Sequence, residues 1–183
     1  MQTITKIYQI YTIEELKETK PGSYSTALEN IRDYYQDSQT QFLLDDLNQT
    51  FLQLAYLLNI TINHYSYGLF NYNNYIDINI NDFVELPNNF KKDIVNQLND
   101  LIENNSYLCG LWCDDYLLDY FKSKNIMKLT CNDVHKHFEL MFDYILNSVI
   151  DDLENDVLND ELMKEFSNEY DIQFLENGEI FKD

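Results

Sequence analysis

Glycine and proline are scarce in this sequence, with four and two among 183 residues. A backbone so poor in glycine has few places to wrap a phosphate closely. No glycine-rich phosphate loop, GxSxG elbow or HExxH pair is present. Arginine is represented by Arg32 alone, and beyond Lys91-Lys92 and Lys122/Lys124 there is no basic cluster. That excludes the phosphate-neutralising patches on which direct nucleic-acid binding depends. Three cysteines, an odd number, do not form a disulfide framework and predict reduced thiols. No apolar run approaches the roughly 18 residues of a membrane span, and no basic stretch leads into an apolar signal segment. The expectation is a cytoplasmic protein of a bacterial cell, without a membrane.

What the chain has is acid and aromatic mass. Asp plus Glu number 32 against 12 Lys plus Arg, a formal net charge of −20, with 45% hydrophobic and 15% aromatic residues. Such composition supports a packed core and predicts a single globular domain over residues 1–183. The charge is uneven. From Glu139 to Asp183 there are 14 acidic residues and only Lys164 and Lys182 as bases, so the last quarter carries more than half the excess. Self-repulsion on this scale opposes compaction, and a basic partner would relieve it. Ordinary acidic solvation accounts for the same composition without a partner.

The chain is organised around one stretch, Thr130 to Asp160. Thr130 and Asp133 suit a helix start. Val134, Phe138, Met141, Ile145, Val149 and Leu153 then recur at helical spacing, widened by Phe142, Leu146, Ile150 and Val157. The spacing predicts a long helix near 131–158, roughly 40 Å at about 1.5 Å per residue. Its remaining positions carry Glu139, Asp143, Asn147, Asp151, Asp152, Glu154, Asn155 and Asp156, with no Lys or Arg between Lys136 and Lys164.

Before that stretch, Thr3–Tyr11 alternates as a strand does. Thr12 and Glu15 form a capping-box pattern, and Pro21-Gly22-Ser23 reads as a turn between helices. Helices follow to Tyr35 and from Thr40 to Leu58. Ile60–Leu69 and Tyr75–Ile80 read as a hairpin, Pro87 precedes a helix ending at Asn104-Asn105-Ser106, and another covers Trp112–Lys124. Asn159–Tyr170 is a separate helix, and Asn177-Gly178 marks a closing hairpin. The sum is α+β: a small, mainly antiparallel sheet of four or five strands with about six or seven helices packed on it.

Three chemistries fit these residues. Glu139, Asp143, Asp151, Asp152, Glu154 and Asp156 form an acidic rail whose i, i+4 members stand about 6 Å apart, close to the spacing of backbone phosphates. Such a rail suits a cationic groove built for nucleic acid, or is simply a solvated helix face. Tyr65, Tyr67 and Tyr72, with Phe70 and Tyr75, crowd one hairpin, as recognition surfaces or packed strands do. The metal alternative is a zinc set of Cys109, Cys113, Cys131 and His135, or hydrolysis at the pairs Asp114-Asp115 and Asp151-Asp152. No cofactor is expected.

The opening Lys6-Ile7-Tyr8-Gln9-Ile10-Tyr11-Thr12-Ile13-Glu14-Glu15-Leu16, with Tyr24–Leu28 and the closing Phe174–Ile180, resembles the ends of many small phage and mobile-element proteins. Abundant Asn, Ile, Lys and Tyr suggest an AT-rich coding genome. In size, acidity and this bias the chain also resembles the phage-borne anti-CRISPR proteins that inhibit the type II nuclease Cas9. That resemblance carries no residue roles. It implies a non-enzymatic, host-defence-evading nucleic-acid mimic bound to a basic Cas9–guide RNA assembly, whose heteroduplex lies in a positively charged channel. An antitoxin-like interaction protein is the other non-enzymatic reading.

Overall fold

Thr12 starts the first helix as its sequence requires. In the computed structural model, which describes residues 7–70, 73–109, 113–132 and 134–182, its hydroxyl accepts from the Glu15 amide at 3.2 Å. The Glu15 carboxylate in turn accepts from the Thr12 amide at 2.9 Å, completing a capping box. Helix α1 spans Ile13–Thr19, and α2 follows at once over Pro21–Leu58. Pro21-Gly22-Ser23 is thus the first turn of a helix and not a loop: proline at the first helical position gives up only an amide that has no partner there.

The two helices expected to Tyr35 and from Thr40 are one helix of 38 residues. Ala27, Leu28 and Ile31 are buried, then Leu43, Leu47, Phe51, Leu54 and Leu58. At about 100° per residue, the two stripes differ in phase by roughly 150°. Periodicity alone therefore breaks where the backbone does not.

The hairpin forms as β1 (Thr61–Ser66) paired antiparallel with β2 (Tyr75–Asn79), Thr61 opposite Asn79 and Ser66 opposite Tyr75, with an irregularity between Ile62 and His64. Then come α3 (Asn81–Glu85), α4 (Asn88–Asn104), α5 (Asp114–Ser123), a 3₁₀ turn (Val134–His137), α6 (Phe138–Leu158) and α7 (Asp160–Glu169). The expected α+β sheet of four or five strands is overturned. The chain is 66% helical, with seven α-helices and one two-stranded sheet among the described residues. Ile7–Ile10 have no strand pairing, and only Tyr11 makes an isolated bridge to Phe174, which itself bridges Ile180. The alternation there buries nothing: Ile7 is 93% exposed. Residues 1–6 of that expected strand lie outside the described residues. No helix among the described residues is long and apolar enough to cross a membrane.

A chain short of glycine must end its helices by other means. Asn59, Asn105, Asn125 and Asp171 all adopt positive φ, between 48° and 54°, just beyond α2, α4, α5 and α7. At each, the next amide reaches back five residues, as in Ile60 to Ala55 and Ile172 to Ser167, while the left-handed residue's own amide reaches back three. This is the Schellman motif, with asparagine or aspartate in the position glycine usually takes.

The contacts divide the chain into two compact units, Met1–Gln41 with Leu153–Asp183, and Phe42–Asp152. The first has a core of Ile13, Leu16, Ala27, Ile31, Met163, Phe166 and Phe174. Arg32, the lone arginine, serves this unit: its Nε donates to the Val157 carbonyl in the last turn of α6, and its guanidinium pairs with Asp160 at the start of α7. The second unit packs α2 from Leu47 onward, the hairpin and α3–α5 around Phe138, Met141, Phe142, Ile145, Leu146, Val149 and Ile150 of α6.

Candidate interaction surface

Helix α6 begins later than its sequence suggests. The segment from Val134 is a 3₁₀ turn, its first amide bonded to the Thr130 carbonyl at 3.0 Å, and α-helix starts only at Phe138. Asp133 lies outside the described residues. The inward stripe then forms as expected, from Phe138 to Val157, all buried.

The carboxylates do not form one rail. At about 100° per residue, Glu139, Asp143, Asp151 and Glu154 fall within a sector of roughly 120°, while Asp152 and Asp156 stand on another side of the helix. Asp152 accepts the Tyr116 hydroxyl at 2.6 Å in the second unit. Asp156 accepts the Tyr35 hydroxyl at 3.1 Å in the first. Burial, and then that carboxylate, push the Tyr35 hydroxyl up to about 12. Both acids are hydrogen-bonded structural groups.

Within the second unit, the acidic sector is Glu139, Asp143 and Asp151. Glu139 and Asp151 are exposed and Asp143 is half-buried. No Lys or Arg occurs anywhere on α6. Burial, and then the Glu139 charge one turn away, raise the Asp143 carboxyl above its ordinary range. A raised carboxyl binds its proton more tightly in the folded state. Its contribution to stability is therefore complete below the ordinary carboxylate pKa and is lost as pH rises through the raised value. Asp143→Asn should accordingly melt above the parent at neutral pH. The gap should close on acidification below about pH 4. Thermal unfolding of both proteins across that range reads the difference, and an Asn variant that melts lower at pH 7 would contradict it.

Of the two readings of the aromatic hairpin, Tyr65 and Tyr67 fit strand packing. Tyr65 is half-buried, stacked edge-on against Phe51 at 5.5 Å, and its hydroxyl is bonded to Asn48. Burial raises the hydroxyls of both Tyr65 and Tyr67. These are packing residues, while Phe70 and Tyr75 are the exposed members of the group, at 53% and 48%. Tyr72 lies outside the described residues.

Among the described residues, no three His, Cys, Asp or Glu converge to hold a metal ion. Cys113 is buried, and burial followed by the Asp46 carboxylate keeps its thiol protonated. Cys109 is exposed, with its thiol 3.1 Å from Asp114. Cys131 is half-buried before the 3₁₀ turn, and His135 is exposed.

Sequence reasoning missed a pair of buried acids. Asp46 and Asp114 are 6% and 1% exposed. Asp46 accepts the Cys113 amide at 2.9 Å, and Asp114 accepts the Cys109 amide at 2.7 Å and the buried Thr50 hydroxyl at 3.3 Å. They fasten residues either side of the α5 entry to α2. No protein-family model, curated protein or solved structure matches the chain.

Proposed function

We propose that this chain is a non-enzymatic inhibitor that binds a basic surface of a bacterial nucleic-acid enzyme, with the Cas9–guide RNA complex as its target. The observation that carries this reading is the acidic sector of α6, Glu139, Asp143 and Asp151, on a helix without lysine or arginine. Glu139 and Asp143 lie one turn apart, burial and then the Glu139 charge raise the Asp143 carboxyl, and α6 itself supplies no lysine or arginine to relieve either acid. A partner's lysine or arginine placed there would remove the repulsion as it bound. The net charge of −20 adds long-range attraction to a positive surface. The Cas9 identity comes from the resemblance in size, acidity and composition.

The test is a binding titration of purified chain against reconstituted Cas9–guide RNA at low and high salt. The parent should bind, and affinity should fall steeply with salt. The triple variant Glu139→Gln, Asp143→Asn, Asp151→Asn should bind more weakly by about tenfold or more. It spares Asp152 and Asp156, so the hydrogen bonds from Tyr116 and Tyr35 persist. No binding by the parent removes the target, and salt-independent binding unchanged in the triple variant removes the acidic surface.

A further inference from the structure

The second unit also holds a cleft of about 830 Å³ between the end of α2, the start of β1, and helices α3 and α4. From its geometry we infer that this cleft receives a peptide segment of a protein partner, one carrying a large apolar side chain next to lysine or arginine.

The floor is apolar: Ile60, placed by the Schellman turn at Asn59, and Ile94 of α4 are both buried. At the rim, Tyr56 is 86% exposed and Phe90 54% exposed. Small-molecule sites of this size enclose most of their ligand behind apolar walls. Here the two largest apolar side chains stand outward beside the opening, as on surfaces that accept side chains from another polypeptide.

Charge narrows the occupant. Asp82 and Asp93 line the cleft, and no lysine or arginine does. Lys91 is committed elsewhere, donating to the Val84 carbonyl at 2.6 Å and lying over the Phe83 ring, and Lys92, exposed beside Asp93 in sequence, does not line the cleft. An apolar anchor in the floor would bring any flanking cation against Asp82 or Asp93. A second copy of this chain is a poor occupant, because two molecules of charge −20 repel. This inference stands on the cleft and not on the acidic sector of α6.

The probe is a displayed library of short random peptides, panned on the immobilised full chain and counter-selected on a Tyr56→Lys, Asp93→Lys double variant. Both positions are exposed, so the variant should keep the parent's helical circular dichroism. Enriched peptides should share an aromatic or leucine residue beside lysine or arginine. A synthetic copy of the most enriched peptide should lose about tenfold in affinity on either single variant. It should bind the Glu139/Asp143/Asp151 triple variant as it binds the parent. Absence of enrichment, enriched peptides without basic residues, or binding indifferent to Tyr56 and Asp93 overturns the cleft. Loss of peptide binding on the triple variant overturns it too, by moving the contact to α6. Because the Cas9 titration is read on the parent and that triple variant, both of which keep the cleft residues, the two proposals fail separately.

Discussion

Gly178→Ala should destabilise the first unit by about 3 kcal/mol, combining backbone strain with overpacking. Gly178 closes the turn between Phe174 and Ile180. The Leu175 amide donates to the Glu179 carbonyl at 2.8 Å, and the Gly178 amide donates to the Leu175 carbonyl at 2.9 Å. That is a three-residue loop with its last residue at φ +87°, the pattern of a G1 bulge. The turn is seated on the start of α2. A Cβ at Gly178 would lie 2.4 Å from the Ser23 carbonyl oxygen and 2.9 Å from the Ala27 amide nitrogen. Both obstacles are backbone of a formed helix, so neither can swing aside as a side chain would. The turn cannot retreat cheaply either, because the Asn30 side chain holds the Gly178 carbonyl at 2.9 Å and Phe174 is fully buried. Gly22 supplies the control. It lies in the first turn of α2 with nothing within 4 Å of a Cβ, so Gly22→Ala should be neutral or stabilising by up to about 1 kcal/mol. Denaturant unfolding gives both magnitudes. Amide exchange should show Gly178→Ala lowering protection around Ile13, Leu16 and Phe166. Equal effects of the two substitutions would refute the steric account.

That turn shows what the sequence makes legible and what it does not. Asn177-Gly178 correctly marks a reversal, because glycine's access to positive φ is a local property. The strands flanking it are not local. Tyr11 and Phe174 lie in β-branched and aromatic stretches as strand residues do, yet among the described residues their pairing stops at single bridges, and Ile7, Tyr8 and Ile10 stay exposed. Several signals complete within a few residues translate directly into structure, although Pro21-Gly22-Ser23, which reads as a turn, opens α2 instead. Thr12 with Glu15 caps α1, Pro87 precedes α4, Asn105 ends it, and Asn159 caps α7 by accepting from the Glu161 and Leu162 amides. Signals integrated over a long window mislead when the buried side changes, as it does along α2 between Ile31 and Leu47. The acidic positions of α6 follow the same logic. Helical arithmetic separates Asp152 and Asp156 from Asp143 and Asp151, but only the tertiary structure supplies the tyrosine hydroxyls they accept.

The acids hardest to find in the sequence should have the largest effect on the second unit. In a chain with 32 acids, Asp45-Asp46 reads as part of a solvated helix face and Asp114-Asp115 as a candidate metal pair, yet one member of each is buried. Asp114→Ala should cost the second unit about 3–5 kcal/mol, the range for removing one partner from a buried, charge-assisted hydrogen-bond set. The substitution removes the carboxylate that accepts from the Cys109 amide and from the fully buried Thr50 hydroxyl, leaving the latter a long 3.8 Å contact with the Cys109 thiol. It also removes a carboxylate from the first turn of α5, where the helix dipole favours negative charge. Asp114→Asn separates these contributions. Its carbonyl can still accept the Cys109 amide, and its amide can donate to Thr50, so hydrogen bonding is largely kept while the charge is lost. A small loss in Asn beside a large one in Ala assigns the stability to hydrogen bonding, whereas equal losses assign it to charge at the helix start. Thr50→Val tests the network from the other end and should cost about 1 kcal/mol in the parent. In the Asp114→Ala background it should cost less, because its partner has already gone, and the double-mutant cycle measures that coupling directly. Additive costs across the cycle, or an Ala variant within about 0.5 kcal/mol of the parent, would mean that these buried acids do not hold the α5 entry to α2.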